Sequence, residues 1–353
     1  MAHRIRHVGA SLLFLAAACG PADVGDKPNQ CLQLTQPSGT GWQTELPAKV
    51  TASFRVETCD GKPVPRLSAD AFTLKEDGVA LDPNESRHAV LPHGESWQVD
   101  SVLLLDLSGS ILRSGSLPSL QGAARSYLDA VLMQPGASVA LWTFDGRATP
   151  QVIADFGSTA DQLHAALDSL AAVQCHQDSD CANVPGAATC AAFRCVDDST
   201  NLYGAVEAAV QGLDARHSDA DFHNSALVAF TDGADEAARV SFADAQAKVS
   251  ASASHVFTVG LGPDVDQDAL RAVGKDGFFP ASDGKQLADA FGQVAGQVAA
   301  LAGRDYELVY CSPKRNGVHQ VSITAHWNVA MEDLEGRLDG QIDATGFASG
   351  CSF

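Results

Sequence analysis

The apolar run Val102-Leu103-Leu104-Leu105 ends in Asp106-Leu107-Ser108-Gly109-Ser110, a carboxylate and two hydroxyls spaced by single residues. Far along the chain Thr200 stands ahead of Asn201-Leu202-Tyr203-Gly204-Ala205, and Asp232 follows in Phe230-Thr231-Asp232-Gly233. All five side chains are hard oxygen donors. They suit Mg²⁺, which takes near-octahedral oxygen coordination at short range and keeps some of its waters; Mn²⁺ and Ca²⁺ are the alternatives for the same donors. Ser108, Ser110 and Thr200 can touch the ion through neutral hydroxyls, while Asp106 and Asp232 hold its waters. With few directly bound carboxylates the cation stays under-neutralised and open to a carboxylate from outside. A D-x-S-x-S turn alone is ordinary turn and helix-cap chemistry. Five elements in order, two of them after strand-like runs, single out a metal site.

Such residues need a frame that gathers them. From about residue 99 to 303 short apolar runs alternate with helical periodicity, the pattern of a parallel sheet with helices on both faces. Buried-type strands are predicted at 102–106, 139–144, 226–231 and 255–261. Helices are predicted at 117–133, 159–173, 202–216, 242–252 and 285–301. Asp106, Thr200 and Asp232 then fall on loops at the carboxyl ends of parallel strands, where open α/β sheets place ligands.

The D-x-S-x-S turn, Thr200 and Asp232 together resemble the metal-ion-dependent adhesion site of the von Willebrand factor A-type (VWA) domain family. The segments Ala269-Leu270-Arg271-Ala272-Val273, Gly277-Phe278-Phe279 and Leu287-Ala288-Asp289-Ala290-Phe291 are similar to the closing part of such domains. The resemblance covers the whole of 99–303 and implies a Rossmann-like, doubly wound, mostly parallel sheet. It also implies Mg²⁺-dependent binding without catalysis, in which a Glu or Asp of a protein or glycoprotein partner completes the coordination sphere.

The flanks read differently. Residues 31–98 show short strands with turns at Asp60-Gly61 and Asp77-Gly78, similar to the β segment that precedes A-type domains in many bacterial proteins. Residues 304–353 return to β pattern but are too few for a core of their own. They are expected to pack with 31–98 as one small β-sandwich-like module, with the α/β unit inserted in it. A Cys-, Ala- and Asp-rich block at 175–198 interrupts the α/β pattern and resembles four-Cys repeats of exported Gram-negative proteins. It ends just before Thr200, beside the expected metal.

A net charge of −20 argues against nucleic acid and anionic lipid as partners, since both require basic patches. At the N-terminus Arg4 and Arg6 precede an apolar stretch too short to span a bilayer. It ends Leu15-Ala16-Ala17-Ala18-Cys19-Gly20, which resembles a bacterial lipoprotein signal over 1–19 with Cys19 as the lipidated residue; Ala16 stands where that pattern prefers Leu. Residues 20–30 form a polar Pro/Gly tether. The resulting expectation is an envelope protein anchored by lipid alone, with Gly20 leaning towards the outer membrane or cell surface.

Setting Cys19 aside leaves eight of the nine cysteines, an even number suited to an oxidising compartment. They group as Cys31 and Cys59; Cys175, Cys181, Cys190 and Cys195; Cys311 and Cys351. The middle spacing lacks the C-x2-C knuckles of common zinc sites, so disulfides are predicted: Cys31–Cys59, Cys311–Cys351 and two bridges within 175–195. Three connectivities stay open in the middle group, and bridges crossing between the terminal segments stay open too. Asp264, Asp266 and Asp268 lack the Gly and distal Glu of a Ca²⁺ loop and read as helix-capping acids. No hydrolase, P-loop, dinucleotide or zinc-protease motif is present. The expected function is a lipid-anchored binding protein. The alternative is a structural component of an envelope complex, in which the metal only steadies the loops.

Overall fold

Strand Gln98–Asp106 is buried along nearly its whole length, and the twofold period of a strand divides its side chains between two cores. Val99, Leu103 and Leu105 face one core; Val102 and Leu104 face the other. The computed structural model describes residues 31–36, 41–64, 67–92, 98–170, 174–182, 189–191, 193–197, 199–216, 223–329 and 332–351. The predicted signal with Cys19 and the tether lie outside the described residues. Among those described, no helix is long and apolar enough to cross a membrane.

Around this strand stands a six-stranded sheet in the order Gly277–Ala281, His255–Leu261, His223–Thr231, Gln98–Asp106, Ala137–Phe144, Gln151–Ala154. The first five run parallel and the last is antiparallel. Helices Leu117–Leu132, Ala160–Asp168 and Gly284–Ala302 cover one face; Leu202–Asp214, Phe242–Ala251 and Gln267–Val273 cover the other. The four apolar runs of the sequence form four of these strands. The helix predicted at 159–173 is shorter: it opens on a capping box of Thr159 with Gln162 and ends at Asp168, with Ser169 as its C-cap. Asp266 caps Gln267–Val273, its carboxylate accepting from the Ala269 N–H at 3.0 Å.

The chain on either side of this unit builds a two-sheet β sandwich. One sheet runs Leu32–Thr35, Lys49–Thr58, Asp305–Cys311, Ala89–Pro92, with Gln43–Glu45 also paired to Lys49–Thr58. The other runs Glu332–Asp343, Val318–Val329, Phe72–Glu76, Val79–Ala80. Each sheet thus has a C-terminal strand between its N-terminal ones or alongside them, and the two segments share one core. Phe54, Phe72 and Tyr306 meet there with ring centroids 5.3 to 5.9 Å apart.

The joint between sandwich and α/β unit is polar. Buried Arg304 bonds Glu57 and Asn224, Asn224 Nδ2 donates to Asp305 at 2.8 Å, and Arg55 Nε donates to Asp305 at 2.7 Å. Disulfides Cys31–Cys59 and Cys311–Cys351 staple the sandwich. The middle group pairs as Cys175–Cys190 and Cys181–Cys195, so the two bridges interlock.

Candidate metal centre

Parallel strands end together at one edge of a sheet, so the loops after Asp106, Phe144 and Thr231 emerge side by side. Asp106 is wholly buried. One of its carboxylate oxygens accepts from the Ser108 N–H at 2.8 Å, the other from the Thr231 hydroxyl at 2.6 Å. Ser108 Oγ lies 3.0 Å from Ser110 Oγ, and the Ser110 hydroxyl donates to Asp232 at 2.6 Å. Asp106, Ser108, Ser110 and Asp232 therefore share one polar network that joins positions 106 and 232, with Thr231 closing it into a ring.

Thr200 joins through its main chain. It is buried, and its carbonyl accepts from the N–H groups of Glu236 and Ala237 at 2.9 and 3.0 Å, in the loop that Asp232 begins. Next to it, Asn201 N donates to the Asp145 carbonyl at 2.9 Å and Asn201 Nδ2 to the Arg147 carbonyl at 2.8 Å. A side chain on Gly204 would collide with the Asn201 amide at 2.6 Å, and one on Gly146 with the Ser199 methylene at 2.6 Å. These two glycines let the loops close up.

The 175–198 insertion feeds directly into this arrangement. Its hairpin, Thr189–Ala191 and Arg194–Val196, sends Val196 into the main core. The carbonyl of Asp197 then accepts from Gly109 N–H at 2.8 Å, inside the D-x-S-x-S loop.

Electrostatically the site is unfinished. Burial, reinforced by Asp232, pushes the Asp106 carboxyl up to about 7 against the hydrogen bonds it receives. Burial likewise raises Asp232, and Asp264 raises it further, while Ser110 and Arg113 oppose. Asp106 has amide and hydroxyl donors around it but, among the described residues, no cationic side chain as a hydrogen-bond partner. A buried carboxylate without a counter-charge is costly. A divalent cation is the counter-charge that a set of carboxylates and hydroxyls would hold, so the residues present fit the ion. Beside Asp232 opens a groove of about 260 Å³, rimmed by Ser114, Ser119, Asp264 and Asp283.

Sequence reasoning missed Thr231, Asn201, Asp145 and Asp197. Thr231 and Asp145 carried a signal, each being the polar residue at the end of an apolar strand. Asn201 and Asp197 had none, because their partners are set by how the loops fold over one another.

No family model and no curated protein sequence matches the chain. Solved structures resemble it. A von Willebrand factor type A protein from Catenulispora acidiphila is 12% identical over 92% of this chain and 76% of its own, with a TM-score of 0.44. Proximal thread matrix protein 1 from the mussel byssus, in a structure with a zinc-occupied MIDAS motif, is 13% identical over 64% of this chain, with a TM-score of 0.42. This chain spans about half the length of that protein, 49%. The vWF domain of the type V pili tip protein Mfa5 from Porphyromonas gingivalis is 12% identical over 57% of this chain and 95% of its own, with a TM-score of 0.41. With five parallel strands and one antiparallel edge, helices on both faces and its polar loops gathered where the parallel strands end, the unit from Gln98 to Ala302 has the doubly wound, mostly parallel architecture that the resemblance to A-type domains implies.

Proposed function

We propose that this chain is a binding protein of the bacterial envelope, whose A-type unit holds Mg²⁺ at Asp106, Ser108, Ser110, Thr200 and Asp232 and binds an acidic side chain of a protein partner there. The observation that supports this most directly is the fully buried Asp106, linked through Ser108 and Ser110 to Asp232 and without a cationic hydrogen-bond partner among the described residues. Bound among these donors, the ion supplies a Lewis-acidic point that attracts an external carboxylate. The chain's own residues do the rest. Thr231 orients Asp106, Ser110 holds Asp232, and the main-chain bonds of Thr200 fix the third loop. In this reading the hydroxyl–carboxylate pairs, Ser110 with Asp232 and Thr231 with Asp106, serve to set ion ligands in place, and the activity is binding rather than turnover.

Anchoring belongs to the same proposal: the Leu15-to-Cys19 segment suits lipidation at Cys19, with 20–30 as tether. Stable anchoring takes more than one acyl chain. Cys19→Ala should release the protein from membranes or leave it unprocessed, and unchanged fractionation would remove the anchor from the proposal. Calorimetric titration of the purified chain with Mg²⁺, then Mn²⁺ and Ca²⁺, tests the centre itself. Binding of one equivalent, lost in Asp232→Ala, is expected; no heat from any of the three ions at millimolar concentration would overturn the metal reading.

A further inference from the structure

The stapled hairpin leading to Thr200 carries a group that the metal centre does not use. Phe193, at its turn, is 72% exposed and holds a left-handed backbone with φ 63°, a conformation unfavourable for a bulky side chain. Its surroundings are fixed. Cys190 and Cys195 flank it, each in a different disulfide. The Cys175 N–H donates to the Phe193 carbonyl at 3.1 Å. The exposed His176 ring meets the Phe193 ring edge-on at 6.0 Å between centroids. An aromatic ring on so rigid a support loses little conformational freedom when covered, and such residues anchor interfaces.

The hairpin and the metal loop form one body. Strand Arg194–Val196 packs on the short helix Gly109–Ser114 that follows Ser108. Val196 is buried in the main core, and Asp197 bonds Gly109. A ligand seated at Asp106 and Asp232 therefore approaches a surface whose relation to Phe193 is set by covalent and main-chain links. We propose that Phe193, backed by His176, is a second contact for that ligand: a protein segment presenting an acidic side chain to the metal centre and an apolar side chain to Phe193. This rests on the metal-centre reading above. A second copy of the chain is a poor occupant, because two bodies each at −20 repel.

Random peptides displayed on phage and selected on the immobilised full chain in millimolar Mg²⁺ test the inference. The wild type should enrich Asp or Glu at a fixed spacing from an aromatic or aliphatic residue. Phe193→Ser should keep the acid, lose the apolar preference and bind the wild-type-selected peptides roughly tenfold more weakly, with Mg²⁺ affinity unchanged and Phe193→Leu intermediate. Enrichment of the acid alone by the wild type, or the same apolar preference in Phe193→Ser, overturns the Phe193 contact and leaves the metal reading standing. Peptides that bind equally well in EDTA overturn the metal reading, and the two-point contact with it. Sedimentation showing a wild-type dimer that Phe193→Ser abolishes would make the occupant a second copy and overturn the foreign partner.

Discussion

One strand carries two buried aspartates to opposite fates. Asp100, near the start of Gln98–Asp106, accepts from Arg216 Nε at 2.6 Å and lies 3.0 Å from His223 Nε2. Asp106, at its end, is held among the described residues by an amide and hydroxyls. Burial opposes ionisation of both. At Asp100 the bonds to His223 and Arg216 outweigh it and hold the carboxyl below its usual range, whereas at Asp106 burial wins and pushes it up to about 7. The amino-end edge of the sheet, continued through Arg304, Asn224 and Asp305, has its charges matched within the protein. At the carboxyl-end edge Asp145 is paired with Arg147, but Asp106 has no cationic hydrogen-bond partner among the described residues. The matched network serves stability; the unmatched Asp106 is what the proposed metal would answer.

The comparison breaks most visibly if a matched charge is orphaned. Arg304→Ala leaves Glu57 without its ion-pair partner and Asn224 Oδ1 without its donor, and removing one member of a buried pair costs about 3–5 kcal/mol. Because Glu57 keeps some exposure, the lower end is expected. Urea denaturation should show it with Mg²⁺ affinity unchanged; a loss under about 1 kcal/mol would mean that this end is not held by its charges.

At the open edge the same kind of change should have the reverse consequence. Asp106→Asn removes a buried carboxylate that has no cationic hydrogen-bond partner among the described residues, so the metal-free protein should be as stable as the wild type or more so. Mg²⁺ stabilisation should vanish: at a hundredfold excess over its Kd a bound ion adds about 2.7 kcal/mol, and the variant should gain none of it. A variant that unfolds without metal, or that still melts higher in Mg²⁺, contradicts the contrast.

What the chain discloses about these two edges is uneven. The strands at 102–106, 139–144, 226–231 and 255–261 were legible because parallel strands buried on both faces read as unbroken apolar runs. Gln151–Ala154 was not, since it is short and its Val152 and Ile153 are exposed. Gly277–Ala281 has Gly and Pro where a pattern would need apolar residues. Asp106, Ser108 and Ser110 stand out because they crowd one turn, and Asp232 because it ends a strand. The matched edge was invisible: Asp100, His223 and Arg304 carry no motif, and their pairing exists only once the sheet aligns Asp100 with Ser225 and sets Asn224 beside the sandwich. The interlocked pairing of the middle cysteines was equally out of reach, since spacing alone leaves three choices.

The hairpin staples should act more locally than either edge. Replacing Cys181 and Cys195 together by Ser opens a loop of 14 residues' separation, worth about 3 kcal/mol in the chain-entropy account. Part of this loss should stay local, because the other bridge remains and Val196 is held in the core. Hydrogen exchange should therefore rise in 175–197 and at Gly109, whose N–H the Asp197 carbonyl accepts, before it rises in the central strands. Uniform loosening of the whole sheet would show that the insertion is part of the fold's main support.

The smallest effect expected is in acid, and it isolates the matched carboxylate. Asp100 has its folded pKa held below the unfolded value of about 3.9. Its contribution to stability is therefore fully present above that unfolded value and is lost as pH falls through the lower, folded one. Among the described residues Arg216 and His223 are the charged or titratable groups bonded to it, and neither is removed by Asp100→Asn. Subtracting the variant's urea-derived stability from that of the wild type at each pH cancels what the two proteins share. The difference should be constant from about pH 6 down to about pH 5, then shrink as the pH drops below about 4. A difference that grows on acidification would mean that Asp100 is destabilised by its site as Asp106 is, and that the two edges of the sheet are alike after all.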